Sequence, residues 1–237
     1  NEANAVKRDT PVMVVLGNPP YSGESRNKGT WIMDLMEDYK KEPGGEEKLN
    51  ERNAKWVNDD YAKFIRYGEH FIEKTGEGVL AYINNHGFLD NPTFRGRRWH
   101  LLKTFDKIYV IDLHGNSKKK EVAPDGTKDE NVFDIQQGVC INILVKKNGP
   151  KATSRLADIL HYDVFGSREH KYTLLDKKGL KDMPFAGIAS QPPQYFYVKR
   201  DAALEVDYKR GFNIQELFRS NSVGIVTARD GFTMHES

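Results

Sequence analysis

The sequence predicts an α/β fold: a mostly parallel sheet with one antiparallel strand, followed by a mixed α+β segment. Three observations predict it. Apolar, β-branched runs at residues 12–16, 79–83 and 108–113 have the length and composition of buried strands. Helical periodicity precedes the second and the third of these runs, the alternation of a parallel sheet with crossovers. A fourth run, at residues 138–147, follows a loop with no helix before it, which fits an antiparallel partner.

Each element has its own signal. Val12-Met13-Val14-Val15-Leu16 is stopped by Gly17-Asn18-Pro19-Pro20-Tyr21, where two prolines make a rigid turn. Residues 22–52 are polar and read as a long loop with a helical piece near residues 31–39. Val57, Tyr61, Phe64, Ile65, Phe71 and Ile72 then share one face of an amphipathic helix. Asn58 or Asp59 is its expected cap, and Gly76 and Gly78 stop it. After the second strand, Asn91-Pro92 opens another helix, with Asn91 as cap and Pro92 at its first position. This helix carries Arg95, Arg97 and Arg98 and packs through Trp99, Leu101 and Leu102. The polar loop 114–131 leads to the fourth strand, and residues 156–164 read as one more. Asn148-Gly149-Pro150 marks a change of pattern. The expected division is therefore 1–150, then 151–237.

Composition sets limits. The 237 residues suit one large domain, or one domain plus part of another. Thirty-six Lys and Arg against 34 Asp and Glu leave a net charge of +2. That excludes a strongly acidic protein and a histone-like polycation, while a local basic patch stays available. The one cysteine, Cys140, excludes an internal disulfide framework and a Cys-based zinc site. It lies within a strand and reads as an inert core residue. The apolar runs are too short for a membrane-spanning helix, and the polar start shows no signal peptide. The first residue is Asn rather than Met, so the chain is expected to begin inside a longer protein.

Asn18-Pro19-Pro20-Tyr21 is the motif that carries chemistry. Proline fixes φ and has no N–H, so the pair makes a stiff backbone with free carbonyls. The Pro19 carbonyl and the Asn18 amide oxygen are two acceptors, matched to the two hydrogens of an exocyclic –NH2 group. Accepting both hydrogens localises the nitrogen lone pair and aims it at an electrophile. Tyr21 offers a face on which a planar group stacks. The turn also follows a strand of an α/β sheet, and ligands bind beyond the carboxyl ends of such strands.

Gly17-Asn18-Pro19-Pro20-Tyr21 after a buried strand resembles motif IV of the AdoMet-dependent amino-methyltransferases, in particular the adenine-N6 DNA methyltransferases of the gamma arrangement. The helix at 61–72 and the strand at 79–84 resemble the blocks that follow it. Val132-Phe133, leading into residues 138–146, resembles motif VIII. Residues 17–31 and Gly224-Ile225-Val226-Thr227-Ala228-Arg229-Asp230 resemble the methyltransferase part of single-polypeptide restriction–modification enzymes, the type ISP and type IIG groups. There the late segment leads into a target-recognition domain. The likeness covers about residues 11–147 well and the rest loosely.

The resemblance implies a fold and a reaction. The fold is the C-terminal half of a Rossmann-like methyltransferase sheet, strands four to seven of seven. The reaction moves a methyl group from S-adenosyl-L-methionine to adenine N6 in duplex DNA, with the base flipped out of the stack. Asn18 and Pro19 then hold N6, Pro20 stiffens the turn, and Tyr21 and Phe133 stack on opposite faces of the base. No metal is required. The family's glycine motif for AdoMet lies upstream of motif IV and has no match here, so the cofactor-binding residues are unknown. The chain alone is expected to be inactive, to need the N-terminal part of the same protein, and to associate through an exposed sheet edge. The expected location is the cytoplasm of a bacterial or archaeal cell, away from any membrane.

Other residues read more plainly. Arg95, Arg97 and Arg98 read as a solvated helix face, with phosphate contact as the functional alternative. Lys118, Lys119 and Lys120 lie in a loop of balanced charge with the same alternative. The seven histidines show no metal-binding spacing, although His86 and His114 both follow strand ends. Two further functional readings stay open. The turn also resembles that of glutamine-N5 methyltransferases of release factors and some rRNA methyltransferases, because an amide offers the same –NH2 group. A non-catalytic DNA-binding fragment that keeps the half-fold is the other.

Overall fold

The computed structural model describes residues 10–21, 23, 25–51, 54–149 and 155–200, with isolated positions before residue 10 and, beyond 200, residues 204, 207–208, 210–212 and 214–217. By compactness the chain divides into Asn1–Lys199 and Arg200–Ser237. In the second unit, Ile214–Leu217 is a described helix. Residues 224–230, singled out by resemblance, lie outside the described residues.

The first unit is built on one mixed sheet. Its strands are β1 (Val14–Gly17), β2 (Gly78–Asn85), β3 (Lys107–Asp112), β4 (Val139–Lys146), β5 (Asp158–Asp163) and β6 (Ala186–Ile188). Their spatial order is β1-β2-β4-β3-β5-β6. β1 runs parallel to β2, and β3 parallel to β5. β4 runs antiparallel to both of its neighbours, β2 and β3, as its helix-free approach predicts. β6 adds a second antiparallel strand on β5, beyond the one the sequence predicts. The change of pattern at residue 150 falls inside this unit, because β5 pairs with β3 and carries the sheet onward.

Helices α1 (Thr30–Met36), α2 (Asp60–Thr75), α3 (Arg95–Thr104) and α4 (Arg168–Lys177) complete the unit. α2 connects β1 to β2 and α3 connects β2 to β3. Asp59 is the N-cap of α2 by position, and Gly76 closes it at φ 92°, a conformation glycine adopts without a Cβ penalty. The Asn91 side chain accepts from the Thr93 N–H at 3.0 Å, capping a short 3-10 turn that leads into α3. One expectation fails on α2. Phe64 is exposed, and the buried face runs through Tyr61, Ile65 and Ile72 with Arg66 and Glu69. The buried polar residues turn the helix so that Phe64 falls outside the core.

The core lies on both faces of the sheet. Leu80 and Tyr82 of β2, Ile108 and Val110 of β3, and Leu144 of β4 pack with Ile65, Ile72, Leu101 and Leu102 from the helices. Alternate residues, Ile111 and Val139, join Leu113, Val132 and Val164 in a second cluster that Leu174 of α4 covers. The period of two along each strand makes this division. Fully burying one such aliphatic side chain is worth about 1.5–3 kcal/mol. β1 stands at the sheet edge, where Val14 and Leu16 are 57% and 73% exposed.

Candidate active site at the carboxyl end of the sheet

β1, β2, β3 and β5 all point their carboxyl ends the same way, and the predicted turn sits there. Within it, Asn18 and Pro20 are exposed and Pro19 is buried. Tyr21 is half-buried. Its hydroxyl lies 3.2 Å from the Ile83 carbonyl and 3.4 Å from Asn18 Oδ1. One hydroxyl hydrogen serves one acceptor at a time, so Tyr21 ties the turn either to strand β2 or to Asn18. Burial, with Cys140 and Tyr61 nearby, pushes the Tyr21 phenol well above its ordinary value. It stays a neutral donor across the physiological range.

A cleft of about 630 Å³ opens beside this turn. Tyr21, Trp56, Tyr61 and Phe94 give it aromatic walls. Asp59, Asn85, Asn91, Gln136 and Gln137 supply polar groups, and Lys118 supplies a cation. The rings of Tyr21 and Tyr61 meet edge to face, with centroids 6.3 Å apart. Asn85 Nδ2 donates to Gln137 Oε1 at 2.5 Å, joining the end of β2 to the segment before β4. Asp59 is buried and accepts from the Gly23 N–H at 3.0 Å, holding the chain that leaves Tyr21. Asn18, Pro19 and Pro20 are not among the described lining residues, although Tyr21 is.

Phe133 lies elsewhere in the same region. It lines a neighbouring cleft of about 540 Å³ with Asn131, Asp134 and Arg168. Ile135 and Gln136 line both clefts. Tyr21 and Phe133 pack against the same hydrophobic cluster at the end of the sheet. The Asn131 side chain accepts from the Phe133 N–H at 2.9 Å and donates to the Gly115 and Gln137 carbonyls, which fixes the backbone at Phe133.

The arginines overturn their solvated reading. Arg95 is buried and pairs with Glu42 and Glu51. Arg98 is buried and donates to the carbonyls of Phe88, Asn91 and Gln194. Arg97 is fully buried, its guanidinium carbon 4.0 Å from the Phe88 ring centroid and 5.0 Å from that of Tyr61. None of the three offers an exposed guanidinium to a phosphate. The helix is packed on both sides, and its cations are spent on carboxylates, carbonyls and rings. Lys118, Lys119 and Lys120 are exposed as expected, and Lys119 lies 3.8 Å from Asp90. Cys140 is buried, and burial pushes its thiol well up, as an inert core residue requires.

Sequence reading missed Trp56, Tyr61, Phe94, Asp59 and the Asn85–Gln137 pair as cleft residues. Asn84-Asn85 at the end of the second strand was the available signal, since it repeats the strand-then-Asn pattern of Gly17-Asn18.

No family model matches the chain, and no curated protein matches it. Solved structures do. A segment of the DrdV–DNA complex, determined by cryo-EM, superposes with a TM-score of 0.65 at 24% identity. It covers 86% of this chain and 20% of that one. The ATP-dependent Type ISP restriction–modification enzyme LlaBIII, bound to DNA, gives 0.68 at 24% identity over 86% of this chain and 14% of that one. A nuclease-deletion mutant of the Type ISP restriction–modification enzyme LlaGI, in complex with a DNA substrate mimic, gives 0.66 at 21% identity, over 85% and 19%. This chain thus spans a fifth or less of each of these proteins and shares the fold of that part.

Proposed function

We propose that this chain is the base-handling segment of a DNA methyltransferase that modifies adenine N6 within a restriction–modification enzyme. The observation that carries the reading is the Asn18–Tyr21 turn at the carboxyl end of β1, with Tyr21 lining an aromatic cleft. The sheet, with β4 inserted antiparallel between β2 and β3, supports a Rossmann-like methyltransferase half. The fold shared with segments of proteins solved in complex with DNA or a DNA substrate mimic supports duplex DNA as the partner.

The residues divide the work. Asn18 Oδ1 and the Pro19 carbonyl accept the two N6 hydrogens and orient the nitrogen lone pair. Tyr21 stacks on the flipped base, and Phe133 closes on its other face. Base–aromatic stacking is worth roughly 1–3 kcal/mol per base, comparable to the few kcal/mol that flipping costs. Lys118 at the cleft meets a backbone phosphate.

S-adenosyl-L-methionine is the donor that the resemblance implies, and it activates the methyl group as a sulfonium. The residues that would hold it are unknown, because the family's glycine motif has no match in the sequence. β1 stands at the sheet edge, with Val14 and Leu16 exposed. The reading therefore gives this chain the acceptor half of the reaction only.

Labelled methyl transfer to duplex DNA by the full-length protein that contains this chain tests the reading, with nucleoside mass analysis. N6-methyladenine is expected, and Asn18→Ala abolishes it while DNA affinity stays nearly unchanged. Turnover retained in Asn18→Ala, or label found in protein or rRNA instead of DNA, overturns it.

A further inference from the structure

A second cluster at the carboxyl end of the sheet takes no part in the proposed chemistry. His86 follows β2, His114 follows β3, and Glu121 comes from the loop between β3 and β4. One ligand atom from each lies within 4.8 Å of the other two. From this geometry we propose that His86, His114 and Glu121 bind a divalent transition-metal ion of the zinc class, which pins the 114–137 loop to the sheet. The proposal is independent of the methyltransferase reading.

Carboxylates stand behind both imidazoles, as they do behind metal-bound histidines. His86 Nδ1 faces Asp112 Oδ1 at 3.0 Å. The Asn116 amide nitrogen, which has only hydrogens to give, meets His86 Nε2 at 3.2 Å. Nε2 is therefore the lone-pair side, and Asp112 fixes the tautomer and the ring. His114 differs: both of its nitrogens face carboxylates, Nε2 toward Asp163 Oδ1 and Nδ1 toward Glu121 Oε1, each at 2.8 Å, so the ion would take the place of the Nδ1 proton. Carboxylates behind both histidines fix their orientation, as in carboxylate–histidine–metal triads. Asp112 Oδ2, 3.9 Å from His114 Nδ1, or solvent completes four-coordination. Gly138 makes the room, since a Cβ there would overlap the His86 ring.

Charge argues the same way. Asp112, Glu121 and Asp163 converge on His86, His114 and His161, and Asp112 is almost wholly buried. Among the described residues no lysine or arginine forms an ion pair with any of the three carboxyl groups. Asp112, the buried one of the three, requires compensating positive charge, which either a protonated histidine or a dication supplies. The 2.8 Å His114–Glu121 contact is a hydrogen bond as it stands. Ligands about 2.0–2.2 Å from a tetrahedral zinc ion stand roughly 3.3 Å apart, so a shift below one ångström admits the ion. Two histidines with a carboxylate suit Zn2+, Co2+ and Ni2+ better than Mg2+ or Ca2+. The consequence reaches the cleft, because the loop carries Lys118, Gln136 and Gln137.

Titration of the full chain with Co2+, followed by competition with Zn2+, tests the site. One equivalent of cobalt is expected to give the visible bands of a tetrahedral N/O site, and zinc to bleach them. Glu121→Gln, isosteric and half-buried, keeps the wild-type circular dichroism and loses at least tenfold in cobalt affinity. Asp163→Asn, which removes the carboxylate behind His114 and beside His161 without removing a proposed ligand, weakens affinity by roughly tenfold and keeps the bands. No bands and no calorimetric heat with either ion overturns the proposal. Bands at wild-type affinity in a folded Glu121→Gln place the metal elsewhere and overturn it equally. Should Glu121→Gln not fold, the same affinity in Asp163→Asn as in wild type overturns it.

Discussion

The Tyr39 hydroxyl donates to Glu69 Oε2 across 2.8 Å, with both side chains wholly buried. Burial alone would raise the Glu69 carboxyl, but His100, Arg66 and Tyr39 together hold it at about 2. A depressed carboxylate contributes stability that is present above its unfolded value, near 4.3, and lost as pH falls toward 2. His100 is opposed by burial and raised by Glu69, so its share is present below its ordinary value and lost as pH rises through its raised one. Stability is therefore highest between these limits. Glu69→Gln, which removes the buried partner of His100 while Arg66 keeps Asp38 and Glu73, is expected to cost about 3 kcal/mol at pH 7 and to flatten the acid limb. Urea unfolding of both proteins across pH 3–8 checks this, and an unchanged acid limb would count against it.

Arg98 makes a second structural prediction. Its fork spans carbonyls on two segments, with Nη1 2.6 Å from the Phe88 oxygen and Nη2 2.7 Å from that of Gln194. An ammonium on a flexible stem does not span that geometry. Arg98→Lys is thus expected to lose most of what Arg98→Ala loses, about 2–4 kcal/mol, through stranded carbonyls. Chemical denaturation of the two variants is the measurement. A lysine variant as stable as wild type would show that the charge, not the fork, matters.

The lysines and arginines separate by salt dependence. Lys118 is exposed at the cleft, whereas Arg97 is fully buried against Phe88. A phosphate contact releases counterions, so removing one lowers the slope of log K against log salt by about one. Lys118→Gln is expected to lower the slope by that amount in the full-length protein. Arg97→Met is expected to leave it unchanged. Equal slopes for Lys118→Gln and wild type would remove Lys118 from the interface.

The limits of sequence reading follow from where the partners lie. β1 to β4 were legible because short β-branched runs end at Pro, Gly or Asn, and β4 lacks a preceding helix. The Asn91 cap was legible because it acts two residues away. The burial of Arg98 was not, because its acceptor at Gln194 lies 96 positions along the chain. A helix with Arg at 95, 97 and 98 reads as solvated until the chain that covers it is placed. The His86–His114–Glu121 grouping was hidden for the same reason, since no local spacing joins three residues that meet only through sheet order. β6 was lost to its own brevity, at three residues. The Asn18–Tyr21 turn was the opposite case, a contiguous motif whose position at the strand end followed from the strand itself.

Tyr21 has two separable roles, and a pair of substitutions parts them. Its hydroxyl reaches Ile83 in β2, while its ring forms a cleft wall. Tyr21→Phe removes the hydroxyl and keeps the ring. It is expected to cost about 1 kcal/mol of stability, the net worth of one hydrogen bond, and to leave base capture within a few-fold of wild type. Tyr21→Ala removes both and is expected to lose a further 1–3 kcal/mol in capture of a flipped base. Fluorescence of 2-aminopurine at the target position, in DNA bound to the full-length protein, reads capture directly. Equal signals from the Phe and Ala variants would show that the ring does not stack, and would return Tyr21 to a purely structural tie between the turn and β2.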